Sequence, residues 1–234
     1  MPPTLYAIPT PLGGIPADAL PQPALLTIRL LRDFVVENEK SARAFLAAVE
    51  MPCPLRDLRL RRLDEHTSVG EIGALLAPLR EGRPLGLLSE AGCPAIADPG
   101  AALVAAAQRE AFRVVPLIGP SAIVLALMAS GLEGQRFAFC GYLPRDAGSR
   151  ERRIRDLERR SRSERETEIF IETPYRGDVL ISALLAHCAP STHLCIASEL
   201  TLPGENIAVR TVEEWRRAPP SLGRRPTVFL LQAA

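Results

Sequence analysis

The chain has 234 residues, of which 47% are hydrophobic, 24% charged and 5% aromatic. That profile belongs to a globular protein of one large or two small domains and excludes disordered, collagen-like and coiled-coil chains. With 28 basic and 27 acidic residues the formal charge is +1, so no global field selects nucleic acid or membrane as a partner.

The five cysteines, Cys53, Cys93, Cys140, Cys188 and Cys195, form no C-x-x-C pair. An odd count suits a reducing compartment better than a disulfide framework. The start of the chain lacks a signal-peptide pattern, and no apolar run reaches the roughly 18 residues of a membrane span. A soluble cytoplasmic protein is expected. Three histidines and no paired cysteines give no expectation of a metal site.

A short strand over residues 4–10 runs into the loop Pro11-Leu12-Gly13-Gly14. A helix over 24–31 and a strand over 34–36 follow, and Ser41 marks the cap or first turn of another helix. Alternating Leu and Arg over 58–63 predicts a half-exposed strand. Apolar residues at helical spacing predict one helix over 71–80, ending at Gly82. A strand over 84–89, the long loop to Gly100, a helix over 101–111 and a strand over 113–118 complete the first half. Apolar strands alternating with helices predict a mostly parallel sheet covered by helices.

Gly119-Pro120-Ser121 opens an Ala-rich helix reaching Ser130. Strands then fall at 137–143, 168–172, 193–199, 207–210 and 227–231, with helices at 149–161, 178–188 and 212–217. The expected division is into residues 1–118 and 119–234, two α/β domains joined without a long tether.

Three loops leave the carboxyl ends of predicted strands, where open α/β sheets bind ligands: 10–14, 89–100 and 118–122. Their Gly, Pro, Ala and Ser let a ligand approach the backbone. The glycine fingerprints of dinucleotide and P-loop sites are missing, as is the G-x-S-x-G elbow of hydrolases.

The run Leu88-Ser89-Glu90-Ala91-Gly92-Cys93-Pro94-Ala95-Ile96-Ala97-Asp98-Pro99-Gly100 closely resembles a loop of the tetrapyrrole methylase family. It is most similar to the branch of small-subunit ribosomal RNA ribose methyltransferases, which has S-D-A-G-T-P-x-I-S-D-P-G there. Further matches keep the family order: Thr10-Pro11-Leu12-Gly13, Gly119-Pro120-Ser121-Ala122, Gly141-Tyr142-Leu143-Pro144, Glu172-Thr173-Pro174-Tyr175-Arg176 and Ser198-Glu199-Leu200-Thr201.

The resemblance implies two α/β domains with mixed sheets flanked by helices, a cleft between them for S-adenosylmethionine, no metal, and a homodimer. Carried over by position, Pro11 and Gly13 floor the cleft, and Ala91, Gly92, Ile96 and Ala97 wrap the donor through backbone contacts. Ser121 and Ala122 close it at the junction. Glu172, Thr173, Glu199, Leu200, Pro226 and Thr227 line it from the second domain. The implied activity is methyl transfer, with a ribose 2′-hydroxyl of ribosomal RNA as leading acceptor. A small tetrapyrrole-like acceptor and a cofactor-binding protein without catalysis are the alternatives.

Transfer from a sulfonium is an in-line displacement that depends on positioning. A base assisting a ribose hydroxyl is sought at Glu172 and Glu65, with Glu199 and the rest of the Asp64-Glu65-His66 cluster as further candidates. The branch carries A-E-D-T-R-x-T after its second strand, where this chain has Val36-Glu37-Asn38-Glu39-Lys40-Ser41-Ala42. The donor loops therefore look intact and the acceptor segment altered. From Arg145 to Arg165 nine arginines face five acidic residues, which suits RNA phosphate or a solvated helix with pairs Glu151–Arg155 and Asp156–Arg160.

Overall fold

The computed structural model describes residues 3–64 and 66–234. The chain folds as two compact units, Met1–Ser121 and Ala122–Ala234.

The first unit runs β1 (Thr4–Ile8), α1 (Pro16–Ala19), α2 (Gln22–Arg29), β2 (Asp33–Val36), α3 (Glu39–Ala48), a 3-10 turn at Leu55–Asp57, and β3 (Arg59–Arg62). It continues through α4 (Val69–Leu75), α5 (Ala77–Arg80), β4 (Leu85–Leu88), α6 (Gly100–Arg109) and β5 (Arg113–Pro116). Its sheet is parallel throughout in the order β3-β2-β4-β1-β5. β2 and β4 are buried at every residue, as strands covered on both faces must be. Their side chains alternate between two cores. Val35, Leu85 and Leu87 join Leu76, Leu79 and Leu103 on one face, while Phe34, Val36 and Leu88 join Leu25, Ile28 and Leu46 on the other. Gly86 has no room for a side chain, since a Cβ there would sit 2.6 Å from Phe34 Cδ1 and 2.8 Å from Ile8 Cδ1.

Local chemistry sharpens one expectation and corrects another. Ser41 lies in the first turn of α3, and the cap is Asn38, whose side chain accepts the Lys40 N–H at 2.9 Å. The single helix expected over 71–80 is two. α4 starts earlier on a Ser68–Glu71 capping box, and Pro78, lacking an N–H, begins the separate turn α5.

Asp33 anchors the far end of this sheet. Its carboxylate accepts Arg59 Nε at 2.7 Å and Nη2 at 2.6 Å, and Arg83 Nε at 3.2 Å. Burial alone would push this carboxyl up, but the hydrogen bonds and charges of the two arginines prevail and hold it below its usual range. Asp33→Ala is expected to cost about 2 kcal/mol by urea unfolding at neutral pH, because the arginines remain hydrated once released. A depressed folded pKa contributes stability above the unfolded value, lost as pH falls through the folded one. The gap between wild type and Asp33→Asn should therefore close below about pH 4.

The second unit comprises α7 (Ala122–Ser130), β6 (Phe137–Tyr142), α8 (Ala147–Glu164), β7 (Thr167–Glu172), α9 (Gly177–His187), β8 (His193–Ser198), β9 (Asn206–Thr211), α10 (Val212–Arg217) and β10 (Thr227–Gln232). Its sheet is mixed, in the order β6-β7-β10-β8-β9, with β10 antiparallel to both neighbours and β6 parallel to β7. Phe170 and Phe229 stack at 5.9 Å between centroids in its core. Trp215 there donates Nε1–H to the Leu194 carbonyl at 2.9 Å. Among the described residues no helix is long and apolar enough to cross a membrane, and no group of three metal-ligating side chains gathers.

Candidate functional site

β4, β1 and β5 are neighbours in the first sheet, so the loops that leave their carboxyl ends meet. Thr10 and Gly92 form an isolated two-bond bridge, N to O at 2.9 Å and 3.0 Å. Ser89 Oγ donates to the Gly92 carbonyl at 2.6 Å and Thr10 Oγ1 to the Ser89 carbonyl at 3.3 Å. Cys93 Sγ donates to the Pro120 carbonyl at 3.4 Å, which ties in the third loop. A Cβ on Gly92 would lie 3.3 Å from Leu12 Cδ2 and 3.6 Å from Pro120 O. Gly92 is thus the crossing point of all three loops, and its own N–H and C=O are engaged by Thr10.

Beyond Gly92 the backbone is held in an unusual conformation. Gly92, Ala95 and Ala97 have φ of 76°, 67° and 61°. Left-handed alanines cost about 1–2 kcal/mol each and persist only where surroundings enforce them. The enforcing group is Asp98, whose Oδ1 accepts the N–H of Ala95 at 2.7 Å and of Gly100 at 2.8 Å. Burial raises the Asp98 carboxyl despite these two donors. Ala91, Ile96 and Ala97 are exposed on this loop, and Ser121, next along from Pro120, is half-buried.

A cavity of about 250 Å³ opens beside these loops, lined by Thr10, Pro11, Gly13, Ser41, Phe45 and Glu90 among others. α3 forms one wall. Ser41 Oγ donates to Glu90 Oε1 at 2.6 Å, and Glu37 Oε1 accepts the Glu90 N–H at 3.3 Å. Burial, with Asp98 and Glu90 nearby, pushes the Glu37 carboxyl up. Sequence reasoning missed the approach of Glu37 and Glu90. Its signal was available only with the strand order, because Val36 and Leu88 pair in register, Glu37 follows Val36, and Glu90 stands two residues past Leu88.

Of the sought bases, Glu65 lies outside the described residues. Asp64 beside it closes a turn, accepting from His66 N at 2.9 Å and Thr67 Oγ1 at 3.2 Å, and pairs with Arg62 at 3.1 Å.

In the second unit, strand register gathers the expected residues at one end of the sheet. Glu172, Thr227 and Ser198 lie side by side on β7, β10 and β8, all buried, and Ser198 Oγ and Thr227 Oγ1 share a 2.9 Å hydrogen bond. Glu199 N donates to the Pro226 carbonyl at 3.0 Å. Thr173 N donates to Glu172 Oε1 at 2.8 Å, and Arg176 Nη2 lies 3.1 Å from Oε2. Glu199 and Thr201 take φ of 52° and 68°, and the Glu199 carboxylate packs where Gly204 lacks a Cβ. Leu200, between them, is buried, and Ala122 begins α7.

No protein-family model matches the chain. Over 203 residues it is 34% identical to the ribosomal RNA small subunit methyltransferase I of Escherichia coli O157:H7, covering 87% of this chain and 67% of the relative. The enzyme of the same description from Halalkalibacterium halodurans is 33% identical over 218 residues, covering 92% of this chain and 71% of its own. The chain belongs to the ribosomal RNA small subunit methyltransferase I family. It is a methyltransferase. The fold is shared more widely. The cobalamin-biosynthetic cobalt precorrin-4 methyltransferase CbiF superposes with a TM-score of 0.63 at 15% identity, covering 98% of this chain and 95% of that one.

Within this family membership the two alanines of the 89–100 loop gain a chemical reason. A methionine–adenosine ligand presents many polar edges to a slot, and a slot walled by backbone and methyl groups admits it without clash. The left-handed φ values of Ala95 and Ala97 and the small side chains of this loop leave its backbone open to close approach, which is compatible with the donor.

Proposed function

We propose that this methyltransferase acts on a ribose 2′-hydroxyl of small-subunit ribosomal RNA. The observation that carries the reading is the junction at Gly92, where three small-residue loops at the carboxyl ends of β4, β1 and β5 converge. The donor supplies an activated methyl group on sulfur when bound. Pro11, Gly13, Ala91, Gly92, Ile96 and Ala97 would hold it, with Ser121 and Ala122 next along the chain. By family position, Thr173, Glu199, Leu200, Pro226 and Thr227 belong to the same set.

The chain's work is orientation, since in-line displacement needs no protein nucleophile. Glu172 suits a positioning role better than that of a free base, because Oε1 accepts from Thr173 and the Arg176 guanidinium lies 3.1 Å from Oε2, although that oxygen accepts no hydrogen bond among the described residues. RNA phosphate would meet α8. Arg152, Arg155, Arg159 and Arg162 are exposed at spacings of three, four and three residues, which is one face of a helix. The pairs Glu151–Arg155 at 2.8 Å and Asp156–Arg159 at 2.5 Å lie at the surface, where such pairs are worth little against a phosphate. A homodimer accords with α7, which is apolar on every side yet leaves Met128 74% exposed.

The test is mass mapping of small-subunit ribosomal RNA from a strain lacking this gene. One ribose methyl should disappear and return on complementation. An unchanged map would overturn the RNA reading.

A further inference from the structure

Three loops of the second unit meet at one end of its sheet. β6 and β7 are parallel neighbours and β10 runs antiparallel to β7, so residues 143–146, 173–176 and 221–226 emerge together. The Pro144 carbonyl accepts Arg150 Nη1 and Arg176 Nη2, each at 3.4 Å, and Leu222 N donates to Asp178 Oδ1 at 2.7 Å. The chain has three tyrosines, and two stand exposed here, Tyr142 ending β6 and Tyr175 following β7. Tyr175 is 73% exposed, and the Arg224 guanidinium lies over its ring, 5.0 Å from the centroid. One face of the ring carries a cation, and a ring so exposed has its second face open.

The charge around it is positive. These loops and the first turn of α8 hold Arg145, Arg150, Arg176, Arg224 and Arg225 against Asp146, Glu172 and Asp178. The acids are committed inside the fold. Asp146 accepts Ser149 N at the start of α8, Asp178 holds Leu222 N, and Glu172 holds Thr173 N and pairs with Arg176. Arg150, nine-tenths buried, donates to the Arg145 carbonyl at 2.9 Å, and Arg225 donates to the Leu222 carbonyl at 2.9 Å. Among the described residues these two, Arg145 and Arg224 pair with no carboxylate. An open aromatic face among cations suits a partner that presents a flat π-surface and an anion together, which is an unstacked nucleotide. A duplex offers the phosphates but hides its base faces in the stack. α8 starts at this end, and its exposed arginines continue as a track for further phosphates.

Resting on the RNA reading above, we infer that Tyr175 and Arg224 form a stacking platform for an unpaired nucleotide of the RNA strand. The base lies on the open face of Tyr175, and Arg224 and Arg145 meet the flanking phosphates. A guanidinium stacked on a ring keeps its edge N–H groups free for such an anion. Stacking accepts any base, so the platform holds the strand and does not choose which nucleotide is methylated.

The test measures binding of the full chain to small-subunit ribosomal RNA transcript and to oligoadenosine, single-stranded or paired with oligouridine, across a salt series. Tyr175→Ala should weaken binding to the transcript and the single strand at least fivefold and leave duplex binding within twofold. Tyr175→Phe, which keeps the ring, should stay within twofold of wild type on all three. Arg224→Gln should weaken single-strand binding and flatten its log–log salt slope by about 0.7, the mark of one lost phosphate contact. S-adenosylmethionine affinity by calorimetry should stay within twofold in Tyr175→Ala. Single-strand affinity unchanged in Tyr175→Ala, an equal loss on the duplex, or a salt slope unchanged in Arg224→Gln overturns the platform. A parallel fall in donor affinity would make Tyr175 part of the donor site and overturn it equally. Wild-type protein that does not bind the transcript overturns the RNA reading itself, and this proposal with it.

Discussion

Gly92→Val is expected to abolish S-adenosylmethionine binding, measured by calorimetry up to millimolar donor, while leaving a cooperatively folded protein by circular dichroism. Gly92 has a φ of 76°, a region in which a β-branched residue is strained by about 1–3 kcal/mol. A Cβ would meet Leu12 and Pro120 O at 3.3 Å and 3.6 Å, and the γ-methyls of valine would extend into one or both. The strain can be relieved only by moving the 10–14, 89–100 or 118–122 loop, and the proposed donor slot is made of those loops. The sheet beneath is unaffected, because the bridge between Thr10 and Gly92 lies outside every strand. Melting should therefore fall by only about 5–10 °C. Gly92→Ala, which adds a Cβ alone, should lose affinity less severely. Donor affinity retained within tenfold in Gly92→Val would place the donor elsewhere.

These loops could be located in the sequence because their function depends on residue types that punctuate a chain. Gly13, Gly92 and the Pro120 turn each stand a few residues past the end of an apolar run, and strand ends of that kind are legible without a structure. The cavity beside α3 was not legible in the same way. Glu37 and Glu90 are more than 50 residues apart, and only the register of β2 against β4 brings them together. Short elements were lost for a related reason. α1 has four residues, too few to show a helical period. The parallel character of the first sheet was readable from strands apolar at successive positions, whereas the antiparallel insertion of β10 between β7 and β8 leaves no local mark. Glu172 was singled out as a carboxylate after a strand, but its pairing with Arg176 depends on the first turn of the helix that follows. The arginines of α8 divide similarly. Glu151 does pair with Arg155, but Asp156 pairs with Arg159 and not with Arg160, because Arg160 faces the sheet.

Arg160→Ala follows from that difference and should be among the most destabilising single substitutions in the second unit, at about 3–5 kcal/mol. Glu168 on β7 is completely buried. It accepts Arg160 Nε at 2.6 Å and also Nη2, while Arg160 Nε lies 2.9 Å from Glu166 as well. The Cys140 thiol on the neighbouring strand donates to Glu168 at 3.1 Å. Burial, then the hydrogen bond and charge of Glu168, push that thiol up to about 11, which keeps it neutral and a donor at physiological pH. Hydrogen bonding to Glu168 in turn holds the Arg160 guanidinium well above its ordinary range.

Removing Arg160 leaves a carboxylate in the interior with only a weak thiol donor, and its burial cost is then uncompensated. For a unit of this size melting should fall by about 10–20 °C. The sign of the pH dependence discriminates the cause. A carboxylate buried without its cation is penalised only while charged, so protonation at low pH removes the penalty. Urea unfolding should accordingly show a smaller gap from wild type at pH 5 than at pH 7.5. Adding Glu168→Gln to Arg160→Ala should recover part of the loss, since the uncharged amide costs less to bury. A gap below about 1 kcal/mol that does not change with pH would mean that Arg160 merely covers the sheet with its aliphatic stem.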